Sequence, residues 1–303
     1  MSESCIVCQN PFVRFGPKDT YNYYLCPTCR TLQLSPMPDE KSLEAAYQQY
    51  YATAGQTEEI NDPGYWETAG AAYRQDLLQT LLDHGISGSI VDFGAGWGHL
   101  CELLIARGFD CKGVEVSEQM AGYARKKGLP VIQGSFEALG RARPVNAVLM
   151  CAVFEHLSNH RAWLLRFNSV LCDGGHLITL HPTAACYTLL GNILRLGRKN
   201  RELPELHGSF CPPWHTALFS LQAMEILARE TGFSLIDIRP ASQGNVGGPT
   251  GLLQQVLGRV NRVGYRVLGN RWPLVTAHVF VLKKVAAAGH PGTDRQSALY
   301  PPR

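Results

Sequence analysis

From residue 89 onward the chain alternates short apolar runs with amphipathic ones, and this alternation restricts the fold more than any other feature. Apolar runs fall at 89–93, 111–116, 130–133, 145–151, 175–180, 233–238 and 277–282. Helical patterns occupy 97–107, 118–127, 161–171 and 221–230, the last stopped by Gly232. Strands separated by helices need crossover connections, which make neighbouring strands parallel and cover both faces of the sheet. The expected fold is α/β: a doubly wound, mostly parallel seven-stranded sheet. Ahead of it, 65–83 reads as a helix with Ala72, Leu77, Leu78, Leu81 and Leu82 on one side, and 39–51 has helical composition. Residues 285–303 read as a disordered tail.

Composition narrows the class without naming it. Of 303 residues, 45% are hydrophobic and 17% charged, the balance of a globular chain with its own core. A net charge of +3 is too small to argue for nucleic acid. The first twenty residues lack the apolar core of a signal peptide and no run of eighteen apolar residues occurs, so the expectation is a cytoplasmic protein.

The turn after the first strand of the sheet carries the most chemistry. It reads Val91-Asp92-Phe93-Gly94-Ala95-Gly96-Trp97-Gly98. Glycines let backbone approach a ligand closely, and the helix that follows offers free N–H groups. Glu115, 21 residues after Gly94 at the end of the second strand, is placed to accept hydrogen bonds from a ribose. A dinucleotide fingerprint would need glycine or alanine where His99 stands, so the spacing is Asp-x-Gly-x-Gly-x-Gly instead. A glycine turn without a ligand is the plainer alternative, and the acidic residue and the repeating β-α order weigh against it.

These motifs resemble the class I S-adenosylmethionine-dependent methyltransferases, over about residues 65–284. The resemblance implies that Asp92, Gly94, Ala95, Gly96 and Gly98 hold the methionine part of S-adenosylmethionine, with Glu115 and Val116 at its ribose. Ser135 and Phe136, in Gln133-Gly134-Ser135-Phe136-Glu137, match the adenine-contacting place, though many members carry Asp where this chain has Ser135. Met150-Cys151-Ala152-Val153-Phe154-Glu155-His156-Leu157 looks like the fourth motif, placing Cys151 at the mouth of the methyl site. A sulfonium methyl is already electrophilic, so the protein mainly aligns the acceptor. A weakly acidic hydroxyl also needs a base. His215, His181 and His156, in that order, are the candidates: each falls where a strand end or loop reaches the expected cleft, and His215 resembles a histidine of bacterial relatives that modify sugars or glycans. A capping or packing histidine is the bland alternative for His215, and His156, in a helix-like turn after the fourth strand, reads as structural or as a helper.

Ten cysteines divide into two classes. Cys5-x-x-Cys8 and Cys26-x-x-Cys29, seventeen residues apart, have the spacing of a Cys₄ zinc ribbon, whose closed tetrahedron implies a structural ion; two disulfides or free thiols are the alternatives. Cys101, Cys111, Cys151, Cys172, Cys186 and Cys211 are single and read as small buried hydrophobes. The ribbon, the segment around Gln33 and the pair Tyr50 and Tyr51 resemble the N-terminal part of sugar C-methyltransferases and of shorter enzymes of glycan and natural-product pathways. Either tyrosine would close over the donor or pack on the main domain. The expected organisation is a ribbon over 1–36, a helical lead-in and lid over 37–86, and a methyltransferase domain over 87–284 with acceptor-side insertions at 182–218 and 240–274.

Arg239, Arg259, Arg262, Arg266, Arg271, Lys283 and Lys284 lie in a stretch free of acidic residues, and Arg195, Arg198, Lys199 and Arg201 form a second cluster. A solvated face is the ordinary fate of such residues; the alternative is a dock for an anionic or carrier-linked acceptor or a peripheral membrane contact. The expected function is methyl transfer to a small-molecule or sugar/glycan acceptor in a biosynthetic pathway, O-methylation ahead of C- or N-methylation, with no DNA partner. An RNA methyltransferase using ribbon and basic helix, and a non-catalytic donor-binding protein, are the alternatives.

Overall fold

In the computed structural model the described residues are 4–53, 62–139, 144–196, 198, 200–203, 210–242 and 249–285, with side chains left aside at 48–53, 249–257 and 262. The expected tail from 286 onward and the side chains of Tyr50 and Tyr51 lie outside them.

Seven strands form the main sheet: β4 (Ser89–Phe93), β5 (Asp110–Glu115), β6 (Val131–Gln133), β7 (Val145–Cys151), β8 (Leu171–Pro182), β10 (Phe233–Pro240) and β11 (Ala277–Lys284). Their order is β10-β11-β8-β7-β4-β5-β6. The ladders from β8 to β6 are parallel, and β11 runs antiparallel to both β8 and β10. This is the doubly wound sheet expected from the alternation. Strand residues alternate between two buried clusters: Val148, Met150, Phe280 and Leu282 enter one, Ala147, Leu149, Val279 and Val281 the other. Both faces are covered, which is why these strands read as nearly continuous apolar runs.

The helices α3 (Ala71–Asp83), α4 (His99–Ala106) and α5 (Glu118–Lys126) pack on one face through Leu77, Leu81, Leu104 and Ala124. On the other face α6 (His160–Val170) and α8 (Leu221–Glu230) contribute Leu164, Phe167, Met224 and Leu227. The helix expected over 65–83 is divided at Gly70 into α2 (Pro63–Ala69) and α3. Asp62 caps α2 through Gly64 N–H, and Pro63 follows the cap as a first-turn residue that needs no donor. The helix expected to start at 97 begins at His99, because Gly98 is left-handed at φ 84°.

The N-terminal segment does not form a separate unit. β1 (Val13–Lys18), β2 (Tyr21–Leu25) and β3 (Leu32–Ser35) build a second sheet, completed by β9 (Ala217–Leu218) from the middle of the chain. β3 pairs with β9 through Leu32↔Leu218 and Gln33↔Ala217, and Cys5, Val7, Cys26 and Cys29 join the same buried cluster as Phe154 and Met224. In chain order α1 (Glu40–Thr53) follows β3 and α7 (Ala184–Leu194) precedes β9. Arg195, expected in a basic cluster either solvated or docking an anionic acceptor, is instead 2% exposed: it donates to Phe15 O and Gly191 O and lies 4.4 Å from the Phe15 ring, tying α7 to β1. Arg239, expected on the basic face, is paired with Asp237 and Asp83.

Candidate active site

Strand order reverses between β4 and β7, and the carboxyl ends of strands at such a switch point are the usual ligand position in sheets of this kind. Asp92 stands at this edge, 1% exposed. Burial pushes its carboxyl up to about 7, although the Cys101 thiol donates to Oδ2 at 3.5 Å and Arg74 lends an opposing field.

The turn after β4 uses glycine in three left-handed positions, with φ +79° at Gly94, +54° at Gly96 and +84° at Gly98. Two of them are tightly packed. A Cβ on Gly94 would sit 2.4 Å from Val153 Cγ2, and one on Gly98 2.8 Å from Leu129 Cδ1. Gly96 differs: among the described residues nothing lies within 4 Å of such a Cβ, so the crest of the turn faces open space. Gly96 N–H donates to Glu115 Oε2 at 2.7 Å and Ser117 N–H to Oε1 at 2.8 Å. The glycine turn and the end of β5 are therefore stitched together by the carboxylate predicted to hold a ribose. An ionised carboxylate has about four acceptor positions, so two remain for a ligand. Burial raises the Glu115 carboxyl, and those N–H groups oppose the rise.

The remaining predicted donor residues gather around this pair. Ala95 N–H bonds Val114 O at 3.0 Å, and Val116, next to Glu115, is 43% exposed, an apolar surface at the mouth of the turn. Gly134 N–H bonds Glu115 O at 2.8 Å, which brings Ser135 alongside. The Phe136 ring turns the other way, edge-on to Trp163 and Phe167 of α6. At the end of β7 burial pushes the Cys151 thiol up to about 12, keeping it neutral. Ala152 next to it has φ +54°, a conformation uncommon without glycine.

Beyond Ala152 the 3-10 turn Phe154–His156 carries a second cluster. One ligand-type atom from each of Glu155, His156 and His215 falls within 4.8 Å of the others. Glu155 is 1% exposed, and its Oε2 has no hydrogen-bond partner among the described residues; burial pushes its carboxyl up to about 8. His156 Nε2 lies 3.9 Å from Glu155 Oε1, its Nδ1 meets the Tyr47 hydroxyl of α1, and its ring is edge-on to His215 at 4.7 Å. Burial and the neighbouring His215 hold His156 well below the usual imidazole range, so it is neutral. The segments are joined through Thr216, whose N–H and hydroxyl both donate to Glu155 O, at 2.9 and 3.0 Å. The Tyr23 hydroxyl of β2 donates to His215 O at 2.9 Å, so the N-terminal sheet buttresses the same point.

Of the three predicted histidines the structure brings together His156 and His215. His181 is a core residue next to that turn: fully buried in β8, stacked on Phe280 at 5.0 Å and 5.4 Å from the Phe154 ring, its Nδ1 on Pro182 O and its imidazole pushed down to about 4 by burial, with His215 adding to the fall. Sequence reading missed Glu155, Tyr47 and Arg74. Glu155 was visible inside the fourth motif, but only burial marks its carboxyl as unusual. Tyr47 lies 109 residues from its histidine, and Arg74, whose field reaches Asp92 and Cys151, sits on a helix that periodicity alone marks as packing.

The four N-terminal cysteines also converge, with all four Sγ atoms within 4.8 Å of one another. Sγ–Sγ distances are 3.4 Å for Cys5–Cys29 and 3.5 Å for Cys8–Cys26, too long for disulfides. Val7 N–H and Cys29 N–H point at Cys5 and Cys26 sulfurs at 3.5 Å, as in a metal knuckle.

Comparison with known proteins fits this geometry. A family model described as a methyltransferase domain, Methyltransf_23, matches residues 65–238, more than half of the chain. The chain belongs to this methyltransferase-domain family. Curated relatives include uncharacterized methyltransferases of Bacillus cytotoxicus and Bacillus mycoides, each 24% identical over 113 residues, or 35% of this chain. The chain spans about half, 52%, of the length of these relatives. Among solved structures, a chain from the complex of the Haloferax volcanii Trm112 methyltransferase activator with its methyltransferase superposes with TM-score 0.50 at 14% identity, covering 82% of this chain and 100% of that one. The Synechocystis magnesium protoporphyrin IX methyltransferase with bound SAH gives 0.48 at 14% identity, over 79% and 94%.

Proposed function

We propose that the chain transfers a methyl group from S-adenosylmethionine to a hydroxyl of a small-molecule or glycan acceptor. The observation that carries this reading is the Gly96–Glu115 hydrogen bond beneath open space, at the carboxyl ends of β4 and β5. The Asp92–Gly98 turn, Glu115 and Val116 would hold the nucleoside and methionine, and Arg74 is the cation on hand for a carboxylate. The donor supplies an electrophilic methyl on a sulfonium; the chain binds, orients and keeps water out. At the acceptor end His156 and His215 stand together as the groups that would engage an acceptor hydroxyl, which favours O-methylation over C- or N-methylation.

The cysteine cluster supports a structural zinc. Its four sulfurs are placed for one tetrahedral ion, a full ligand set that leaves no open position for an acceptor.

The exposed end of α9 (Pro249–Leu268) supports an acceptor met at an anionic lipid surface. Val260, Val263 and Val267 form one exposed apolar stripe, and Arg259 and Arg266, both exposed, border it. Trp272 packs on Gly264 at the edge of the stripe, and the Tyr265 hydroxyl donates to Ile238 O at 3.3 Å. An apolar stripe edged with arginines matches the chemistry of interfacial helices. Among the described residues no helix is long and apolar enough to cross a membrane.

The test is calorimetric titration with S-adenosylhomocysteine, then methyl-labelled donor offered with hydroxylated sugars and phenols. Binding lost in Glu115→Ala, with the fold retained by circular dichroism, is expected. Absence of heat in folded wild-type protein refutes the reading.

A further inference from the structure

We propose that Glu155, His156 and His215 bind a divalent first-row transition ion that activates the acceptor, a second metal centre distinct from the cysteine ribbon. The proposal rests on the methyl-transfer reading for its role, but its metal chemistry stands on the cluster itself.

Two imidazoles and one carboxylate form a donor set typical of divalent transition ions that keep open positions. Three observations turn this trio into a site rather than a chance meeting. Glu155 Oε2 is buried and has no hydrogen-bond partner among the described residues, an arrangement that costs about 1–3 kcal/mol or more unless something fills the need. With His156 Nδ1–H donating to the Tyr47 hydroxyl oxygen, the tautomer that metal binding requires, the Nε2 lone pair faces Glu155. Metal-bound histidines are nearly always oriented in this way, by a hydrogen bond on the other ring nitrogen. Finally, Thr216, next to His215, is bonded twice to the Glu155 carbonyl, so the two ligand segments are fixed to each other before any ion arrives.

The separations are compatible with a cation. Metal–ligand bonds of about 2.0–2.2 Å place neighbouring donors roughly 3–3.5 Å apart. The donor atoms here lie within 4.8 Å of one another, and small side-chain rotations close the remainder. A cation would also settle the buried Glu155 carboxylate in its charged form, which the site otherwise opposes.

Chemically, an acceptor hydroxyl that coordinates the ion becomes far more acidic, as metal-bound water does. Its proton leaves to solvent, the oxygen forms the new O–CH₃ bond, and the S–CH₃ bond of the sulfonium breaks with its electron pair remaining on sulfur. The products are a methyl ether and the neutral thioether. His156 and His215 then serve as ligands, and the ion does what a lone base would otherwise have to do.

The experiment uses Mn²⁺, which prefers oxygen and nitrogen donors and competes poorly for a Cys₄ site. Protein dialysed against chelator is titrated with Mn²⁺ and the free aquo-ion signal is followed by electron paramagnetic resonance. Wild type is expected to bind one Mn²⁺ per chain, and Glu155→Gln and His215→Gln to weaken binding at least tenfold, each with its melting temperature recorded as a fold control. His215→Gln, at a partly exposed position, covers the case in which the buried substitution fails to fold. Folded wild type that takes up no Mn²⁺, or binding unchanged in both variants, overturns the site. Calorimetry with S-adenosylhomocysteine on the same samples separates the two readings: donor heat without Mn²⁺ uptake removes only the metal, whereas absent donor heat removes methyl transfer and leaves the metal result standing on its own.

Discussion

Replacing Asp92 by Asn is expected to make the donor-free protein more stable at neutral and alkaline pH. Asp92 is 1% exposed and its carboxyl is held at about 7 against an ordinary 3.8, chiefly because burial disfavours the charge. The folded protein therefore retains a proton that the unfolded chain releases between pH ~4 and ~7. Since the folded state binds more protons in this window, wild-type stability falls as pH rises through it and levels off above about 7. At 1.36 kcal/mol per pKa unit, the charge at pH 8 carries a penalty on the order of 4 kcal/mol. Asn keeps the shape without the charge, so urea or thermal unfolding at pH 8 should show the variant ahead by about 2–4 kcal/mol, the lower figure allowing for imperfect hydrogen bonding of the amide. The gap should shrink to about 1.7 kcal/mol at pH 5 and close below about pH 3, where Asp92 is protonated in both states. Donor affinity should move in the opposite direction and fall. A variant no more stable than wild type at pH 8, or a gap of the same size at pH 5 and pH 8, would refute the argument that burial of this carboxylate is uncompensated in the donor-free state.

Gly94→Ala combines left-handed strain of roughly 1–2 kcal/mol with a clash on Val153 worth about 1–3 kcal/mol, and should lower the unfolding free energy by about 2–5 kcal/mol. Gly96→Ala meets only the strain and should stay folded, yet weaken S-adenosylhomocysteine binding ~10-fold or more by calorimetry, because the methyl occupies the open space over the turn. Stripping zinc, or Cys29→Ser, should lower the melting temperature by at least about 5 °C, at roughly 2–4 °C per kcal/mol, since these cysteines share a core with Phe154 and Met224; a variant that melts like wild type and loses only chemistry would contradict a structural ion. Val263→Glu with Val267→Glu should abolish sedimentation with phosphatidylglycerol vesicles while leaving donor binding intact, and wild type that ignores such vesicles removes the membrane reading.

Much of the donor half was legible in the sequence because it is local. Asp92, the three glycines and Glu115 sit on either side of one strand–helix–strand unit, and the conformations required there select residue types that can be read directly: glycine at φ +54° to +84°, an acid at a strand end. Alternating apolar runs likewise gave the seven-stranded sheet, since both of its faces are buried. The cysteine spacing foretold that four thiols would meet.

Chain-distant packing decided the rest. Whether a histidine opens to a cleft or lies in a core depends on neighbours from other strands, and the three histidines look alike in sequence while His181 stacks on Phe280 and His156 meets Tyr47 and His215. Arg195 and Arg239 read as solvated charges until the fold set them against Phe15 and Asp237. The ribbon read as a separate domain, but β9 closes its sheet from nearly two hundred residues away and places Tyr23 under His215. Residue type and spacing fix what a backbone can do within a few turns; burial and charge environment are sums over the whole packed chain, so Glu155 became chemically distinctive only once that chain had closed around it.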